Sequence, residues 1–210
     1  AFMMNHKGTF FYGSTEKVRN LPRVIFVNKM NDDTADFDKI YGELKDVLGR
    51  SCVALQLPIR KNNKLVGIVD GITMEASMFD QDGNLTECEM PEELRAQAEE
   101  INNNLSEIVA ETDDALMEKF FGGEKFTKEE IIRGLKIAIN HCTCAPVLLG
   151  SAYENIGIKK LMDFIVDYMP SPLERTVLDY TDASGAQKQM KPDPDGHPTL
   201  FVYKTIADPF

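Results

Sequence analysis

The stretch Val24-Ile25-Phe26-Val27-Asn28-Lys29-Met30-Asn31 decides the fold. Four apolar, mostly β-branched residues followed by a polar turn read as a strand buried on both faces, the pattern of a parallel sheet. Such a strand delivers Asn28, Lys29 and Asn31 to the carboxyl edge of the sheet, where ligands bind in open α/β folds. Cys144-Ala145-Pro146-Val147-Leu148-Leu149-Gly150 repeats the pattern and delivers a second polar turn, Ser151-Ala152.

Helical periodicity surrounds the two strands. Phe37, Ile40, Tyr41, Leu44, Val47 and Leu48 fall on one face of an amphipathic helix ending at Gly49, and Leu161, Met162, Phe164, Ile165, Val166 and Met169 predict a helix ended by Pro170-Ser171-Pro172, with Met162, Phe164 and Ile165 in the core. Ala1-Phe2-Met3-Met4 reads as a buried strand starting at the first residue, as in a piece of a longer chain, and Ser14 or Thr15 is placed to cap a short helix through Arg19.

Between the two halves the rhythm changes. Cys52 to Leu57 and Leu65 to Asp70 predict strands joined by the polar turn Lys61-Asn62-Asn63-Lys64. A hairpin is antiparallel and interrupts a strand, helix, strand order, so an inserted subdomain is expected over 51–141. Its helices start at Pro91, with Leu94, Ala98, Ile101, Leu105, Ile108 and Val109 inward and Glu92, Glu93, Glu99, Glu100, Glu107 and Glu111 outward, near Asp113 up to Gly122-Gly123, and after the capping box Thr127-Lys128-Glu129-Glu130. Residues 175–198, rich in Asp, Pro, Gly, Ser and Lys, read as a linker, and 199–210 as the first strand of a further domain. The expected class is therefore α/β, with a parallel sheet and its flanking helices in 1–50 and 142–174, and an α+β insertion between them.

Composition narrows the partners. The chain has 210 residues, 43% of them hydrophobic and 9% aromatic, enough to build a core. No apolar run approaches the roughly 18 residues that span a bilayer, and no signal-peptide pattern opens the chain, so the expected location is the cytoplasm with no membrane partner. The net charge of −11, from 34 acids against 23 bases, repels a phosphate backbone and argues against direct nucleic-acid binding. Cys52, Cys88, Cys142 and Cys144 match neither a disulfide framework nor a zinc pattern, because Cys142-Thr143-Cys144 is too tight and lacks a second pair; reduced, structural thiols are expected even with His141 nearby.

Two buried strands that end in Asn-Lys-x-Asp and Ser-Ala turns form the base-binding end of a GTPase nucleotide site. A lysine stem lies along the purine face, the asparagine braces the loop, and a backbone N–H beside the Ser-Ala turn donates to guanine O6. The aspartate accepts from both N1–H and the exocyclic amine; here the fourth position is Asn31. The candidate base-binding residues are Asn28, Lys29, Asn31, Ser151 and Ala152, with no catalytic or metal-ligating residue among them.

Leu21-Pro22-Arg23-Val24-Ile25-Phe26-Val27-Asn28-Lys29-Met30, Gln56-Leu57-Pro58-Ile59, Gly67-Ile68-Val69-Asp70, Leu116-Met117-Glu118-Lys119-Phe120, Gly150-Ser151-Ala152, Asp167-Tyr168-Met169-Pro170-Ser171-Pro172 and Phe201-Val202-Tyr203-Lys204-Thr205-Ile206-Ala207-Asp208-Pro209-Phe210 resemble elongation factor G, in the same order. The resemblance implies the C-terminal part of a P-loop-type GTPase domain, carrying that family's insertion and followed by the start of a β-barrel domain. It implies GTP or GDP as ligand, the ribosome with its large-subunit stalk protein as partner, and translocation as the task. A ribosomal-protection or release-factor relative, or a non-catalytic paralogue serving as a stalk-binding module, are the alternatives.

The sequence departs from that family twice. It contains no Gly-x-x-x-x-Gly-Lys-Thr phosphate loop, first switch or Asp-x-x-Gly turn, so phosphate and Mg2+ binding, and with them hydrolysis, are expected to need segments outside it. Asn31 replaces the family's aspartate. An amide loses one acceptor against guanine and suits xanthine, so guanine binding weakened on the order of ten- to over a hundredfold is expected unless Asp32 or the loop geometry compensates.

Overall fold

The computed structural model describes residues 2–5 (backbone only), 21–80, 82–174, 178–182, 184–196, 198, 200 and 204–206. The helix expected near 14–19 and most of the strand expected over 199–210 lie outside them. The chain divides into two compact units, Ala1–Met169 and Pro170–Phe210.

The first unit is built on a four-stranded sheet made of β1 (Phe2–Asn5), β2 (Ile25–Asn28), β3 (Cys52–Ala54) and β8 (Ala145–Leu149). Its order is β1-β2-β8-β3, and every pairing is parallel. Val24 to Val27 are at most 4% exposed and all five residues of β8 are buried, as strands covered on both faces require. Helix α1 (Phe37–Leu48) starts where the Asp36 carboxylate accepts the Lys39 N–H at 3.1 Å. It buries Phe37, Ile40 and Leu44 and leaves Val47 exposed. The half-buried Tyr41 hydroxyl accepts the Ala54 N–H at 3.1 Å and donates to the Cys52 carbonyl at 3.3 Å, fixing α1 to the edge strand β3.

Cys52 to Leu57, expected as one hairpin strand, splits at Leu55. β3 joins the parallel sheet, while β4 (Gln56–Lys61) opens an antiparallel sheet with β5 (Lys64–Asp70), β6 (Glu75–Phe79) and β7 (Leu85–Cys88), in that order. The last two strands are short, have no unbroken apolar run and face solvent in part, so the sequence pattern does not announce them. The two sheets are welded at the split: the Leu55 N–H donates to Val147 O at 2.9 Å, the Gly71 N–H to Leu55 O at 2.8 Å, and the buried Gln56 side chain accepts the Leu149 N–H at 3.1 Å. Free thiols at Cys52 and Cys144 lie buried on or beside the adjacent strands β3 and β8.

Helices α2 (Glu92–Ala110), α3 (Asp114–Phe121) and α4 (Lys128–Asn140) complete the insertion. α2 buries Ala98, Ile101, Leu105, Val109 and Ala110 and turns Glu92, Glu93, Glu99, Glu100 and Glu107 to solvent. The capping box forms, with Thr127 Oγ1 accepting the Glu130 N–H at 3.3 Å and Glu130 Oε2 accepting the Thr127 N–H at 2.7 Å. Gly134 lets α4 approach α2 closely, since a Cβ there would stand 2.6 Å from Val109 Cγ1.

Helix α5 (Ile158–Tyr168) departs from expectation. Of its apolar residues only Phe164 is buried, while Met162 is 55% and Val166 78% exposed. Met162 and Val166 are four apart and share a face turned away from the one that carries Phe164 and the half-buried Leu161 and Tyr168. Among the described residues no helix is long and apolar enough to cross a membrane.

In the second unit, 175–198 is not a featureless linker. After a helical turn at Pro172–Glu174, β9 (Leu178–Thr181) and β10 (Gln187–Met190) pair antiparallel, and Asp182 ties their turn by accepting from the Ser184 and Ala186 N–H groups. Residues 204–206 adopt no regular structure.

Candidate functional site

The central strands β2 and β8 are hydrogen-bonded neighbours in register, Val27 opposite Leu149, so their C-terminal turns emerge side by side. The ladder continues past the strand ends: the Gly150 N–H donates to Val27 O and the Met30 N–H to Gly150 O, both at 3.0 Å. Only glycine fits at position 150, where a Cβ would overlap the Ile156 carbonyl oxygen and meet the Phe26 ring at 2.8 Å.

Side chains then lock the two turns together. Asn28 Oδ1 accepts the Lys29 N–H at 2.8 Å and the Ala152 N–H at 2.9 Å, so one amide oxygen braces both turns. The Ala152 N–H is thereby used within the protein. Lys29 sits in the left-handed region at φ 62°, which turns its exposed side chain out of the sheet edge. Ser151 is fully buried; its hydroxyl donates to Asn31 Oδ1 at 2.8 Å and accepts the Glu154 N–H at 3.3 Å. Ser151 and Ile156 exchange two backbone hydrogen bonds of 2.9 Å, closing the loop Ala152–Asn155 into a compact rim. All five candidate residues, drawn from positions 28–31 and 151–152, meet at this edge.

Two residues that the sequence does not single out belong to the same place. Glu154 presents Oε1 to the Asn31 amide, which donates to it at 3.2 Å. Arg60, on β4 of the inserted sheet, reaches back under the turn after β2 and donates to the carbonyls of Met30 (2.6 Å), Ala35 (2.6 Å) and Asp32 (3.1 Å). Burial lowers its pKa from the ordinary value against the pull of Asp33, Asp36 and Asp32, yet a guanidinium remains charged and all three bonds are charge-assisted. Asp32 Oδ1 accepts from the Thr34 N–H at 2.9 Å and the Thr34 hydroxyl at 2.6 Å, a turn within its own loop.

The arrangement suits a planar ligand held at one edge. An exposed lysine stem offers an apolar flank, and the Asn31 amide with the Glu154 carboxylate offers donors and acceptors in one rim.

Comparison with known proteins agrees with this fold. Residues 14–171 match the model of the elongation factor Tu GTP binding domain. A crystal structure from Thermus thermophilus is similar at a TM-score of 0.68 and 30% identity, over 76% of this chain and 24% of that one. The chain thus spans about a quarter of that protein's length, 24%. With a family match over 14–171 and a parallel sheet flanked by helices, the chain belongs to the elongation factor Tu GTP-binding domain family of translational GTPases.

Proposed function

We propose that these residues form the base-recognising half of the nucleotide site of an elongation factor G-like translational GTPase, which binds GTP and GDP and couples hydrolysis to movement on the ribosome. The observation that carries the reading is the Asn28 amide oxygen holding the Lys29 and Ala152 N–H groups at 2.8 and 2.9 Å, because it makes one rim of two turns 124 residues apart. Phosphates, Mg2+ and the attacking water fall to segments with a phosphate loop and switches, which this sequence does not contain. Bound there, Mg2+ neutralises charge developing on the phosphates. The residues of this chain fix the base and exclude water from its edge.

The long insertion between β3 and β8 favours the elongation factor over ribosomal-protection or release-factor relatives. In this reading the protein works in the cytoplasm, and the exposed glutamates of α2 face a basic patch of the large-subunit stalk protein. The test is nucleotide binding and ribosome-stimulated GTP hydrolysis by the intact protein and its Lys29→Ala variant. Tight GDP binding that Lys29→Ala weakens on the order of tenfold supports the reading; an intact protein that binds no guanine nucleotide overturns it.

A further inference from the structure

We propose that Glu154 supplies the carboxylate that the turn after β2 lacks, and that it makes the site guanine-selective although its fourth position is Asn31. The inference rests on the base-site reading above and names its specificity-determining residue.

Guanine presents two donors on the edge to be read, N1–H and the exocyclic amine, and a carboxylate matches both. The Asn31 amide cannot. Its oxygen already takes the Ser151 hydroxyl at 2.8 Å, and its nitrogen is a donor that would face the amine donor head on. The Asp32 carboxylate is engaged within its own loop, where Oδ1 takes the Thr34 N–H and hydroxyl. Glu154 is the carboxylate that stands against the Asn31 amide, at 3.2 Å. Its backbone is held by the Ser151 hydroxyl at 3.3 Å, the same group that orients Asn31, so serine, asparagine and glutamate form one connected unit. The pair Asn31 and Glu154 thus carries what one aspartate carries elsewhere: Asn31 keeps the bond to Ser151 and hands its donor to Glu154, whose Oε2 has no hydrogen-bond partner among the described residues. Xanthine, with a carbonyl in place of the amine, would meet this carboxylate acceptor to acceptor. Charge and lone pairs on this edge therefore favour guanine over hypoxanthine, which lacks the amine, and disfavour xanthine most.

The experiment is competition binding of GDP, IDP and XDP against a fluorescent GDP on the intact protein, with Glu154→Gln, Asn31→Asp, the double variant and Lys29→Ala as a control. Expected are the order GDP, IDP, XDP in the parent, a loss of GDP affinity on the order of tenfold in Glu154→Gln with a collapsed GDP to IDP ratio, and a Glu154→Gln effect below about threefold once Asn31→Asp restores a carboxylate. A parent that prefers XDP, or an unchanged GDP to IDP ratio in Glu154→Gln while Lys29→Ala weakens all three nucleotides, overturns the role of Glu154 and leaves the base site standing. Unchanged binding in Lys29→Ala overturns the base site itself and this inference with it.

Discussion

The Arg60 guanidinium donates to the Met30 carbonyl at 2.6 Å, so a strand of the inserted sheet grips the backbone of the turn that carries Asn28, Lys29 and Asn31. The same guanidinium holds Ala35 and Asp32, which leaves the turn with a charged anchor on its inner side. Replacing it strands three carbonyls at once. Arg60→Leu is expected to destabilise the fold by about 2 kcal/mol and to speed GDP release, while Arg60→Lys, a point donor without the fork, recovers only part of either. Urea unfolding and stopped-flow release of a fluorescent nucleotide check both.

Asn28 faces the opposite demand, since its oxygen serves two N–H groups from different turns. Asn28→Ala releases both and is expected to weaken nucleotide binding on the order of tenfold or more with a smaller effect on stability. Equilibrium titration set beside thermal melting separates the two; equal binding in parent and variant would remove Asn28 from the site.

Gly150 sits where the β2 and β8 turns touch. Gly150→Ala drives a methyl into the Ile156 carbonyl and the Phe26 ring, neither of which is a flexible side-chain end. A loss of about 2 kcal/mol or more is expected, read as a lowered unfolding midpoint. Gly49→Ala, with open space around its Cβ, tests a different cost, the strain of an alanine at φ 69°.

Alkaline pH probes the junction of the strands. Burial pushes the Cys52 and Cys144 thiols from 9.0 up to about 12, and the Tyr41 hydroxyl from 10.0 to about 12. Folded pKa values above the unfolded ones mean that this stability is complete below pH 9 and is lost as pH climbs from 9 through 12. Each thiol contributes a slope of ~1.4 kcal/mol per pH unit within that window. Unfolding free energies measured at about pH 7.5, 9 and 10.5 check the slope, and Cys144→Ala is expected to flatten it. Cys88 and Cys142, only half-buried, are expected to react first with dithiobis-nitrobenzoate.

How far the sequence was legible follows the range of each interaction. The central strands β2 and β8 could be read because burial on both faces leaves an unbroken apolar run, and the capping box at Thr127 because its two partners are three residues apart. The division at Leu55 could not be read. Cys52 to Leu57 is a single, mainly apolar run, and only its neighbours, Val147 on one side and Asp70 and Val69 on the other, decide which residues join which sheet. Met162 looked like core because α5 has apolar residues on more than one face, and periodicity alone does not say which face finds a partner. At the candidate site, the meeting of the turns at 28–31 and 151–152 was legible from two short motifs at the ends of buried strands, whereas Arg60 bonds to carbonyls, which every residue has, and Glu154 gains meaning only from its distance to Asn31. The hairpin at 178–190 was hidden by a polar composition that it shares with linkers.

The weld at Leu55 and Gln56 has a consequence for any attempt to trim the protein. An insertion is commonly pictured as a bead that can be clipped from its string. Here the bead completes the string: the Leu149 N–H, one residue before the glycine that sets the Ser151 turn, is satisfied by the Gln56 side chain from the insertion. Excising 56–141 would leave that group bare in the sheet, immediately beneath the turn that we propose meets the nucleotide base.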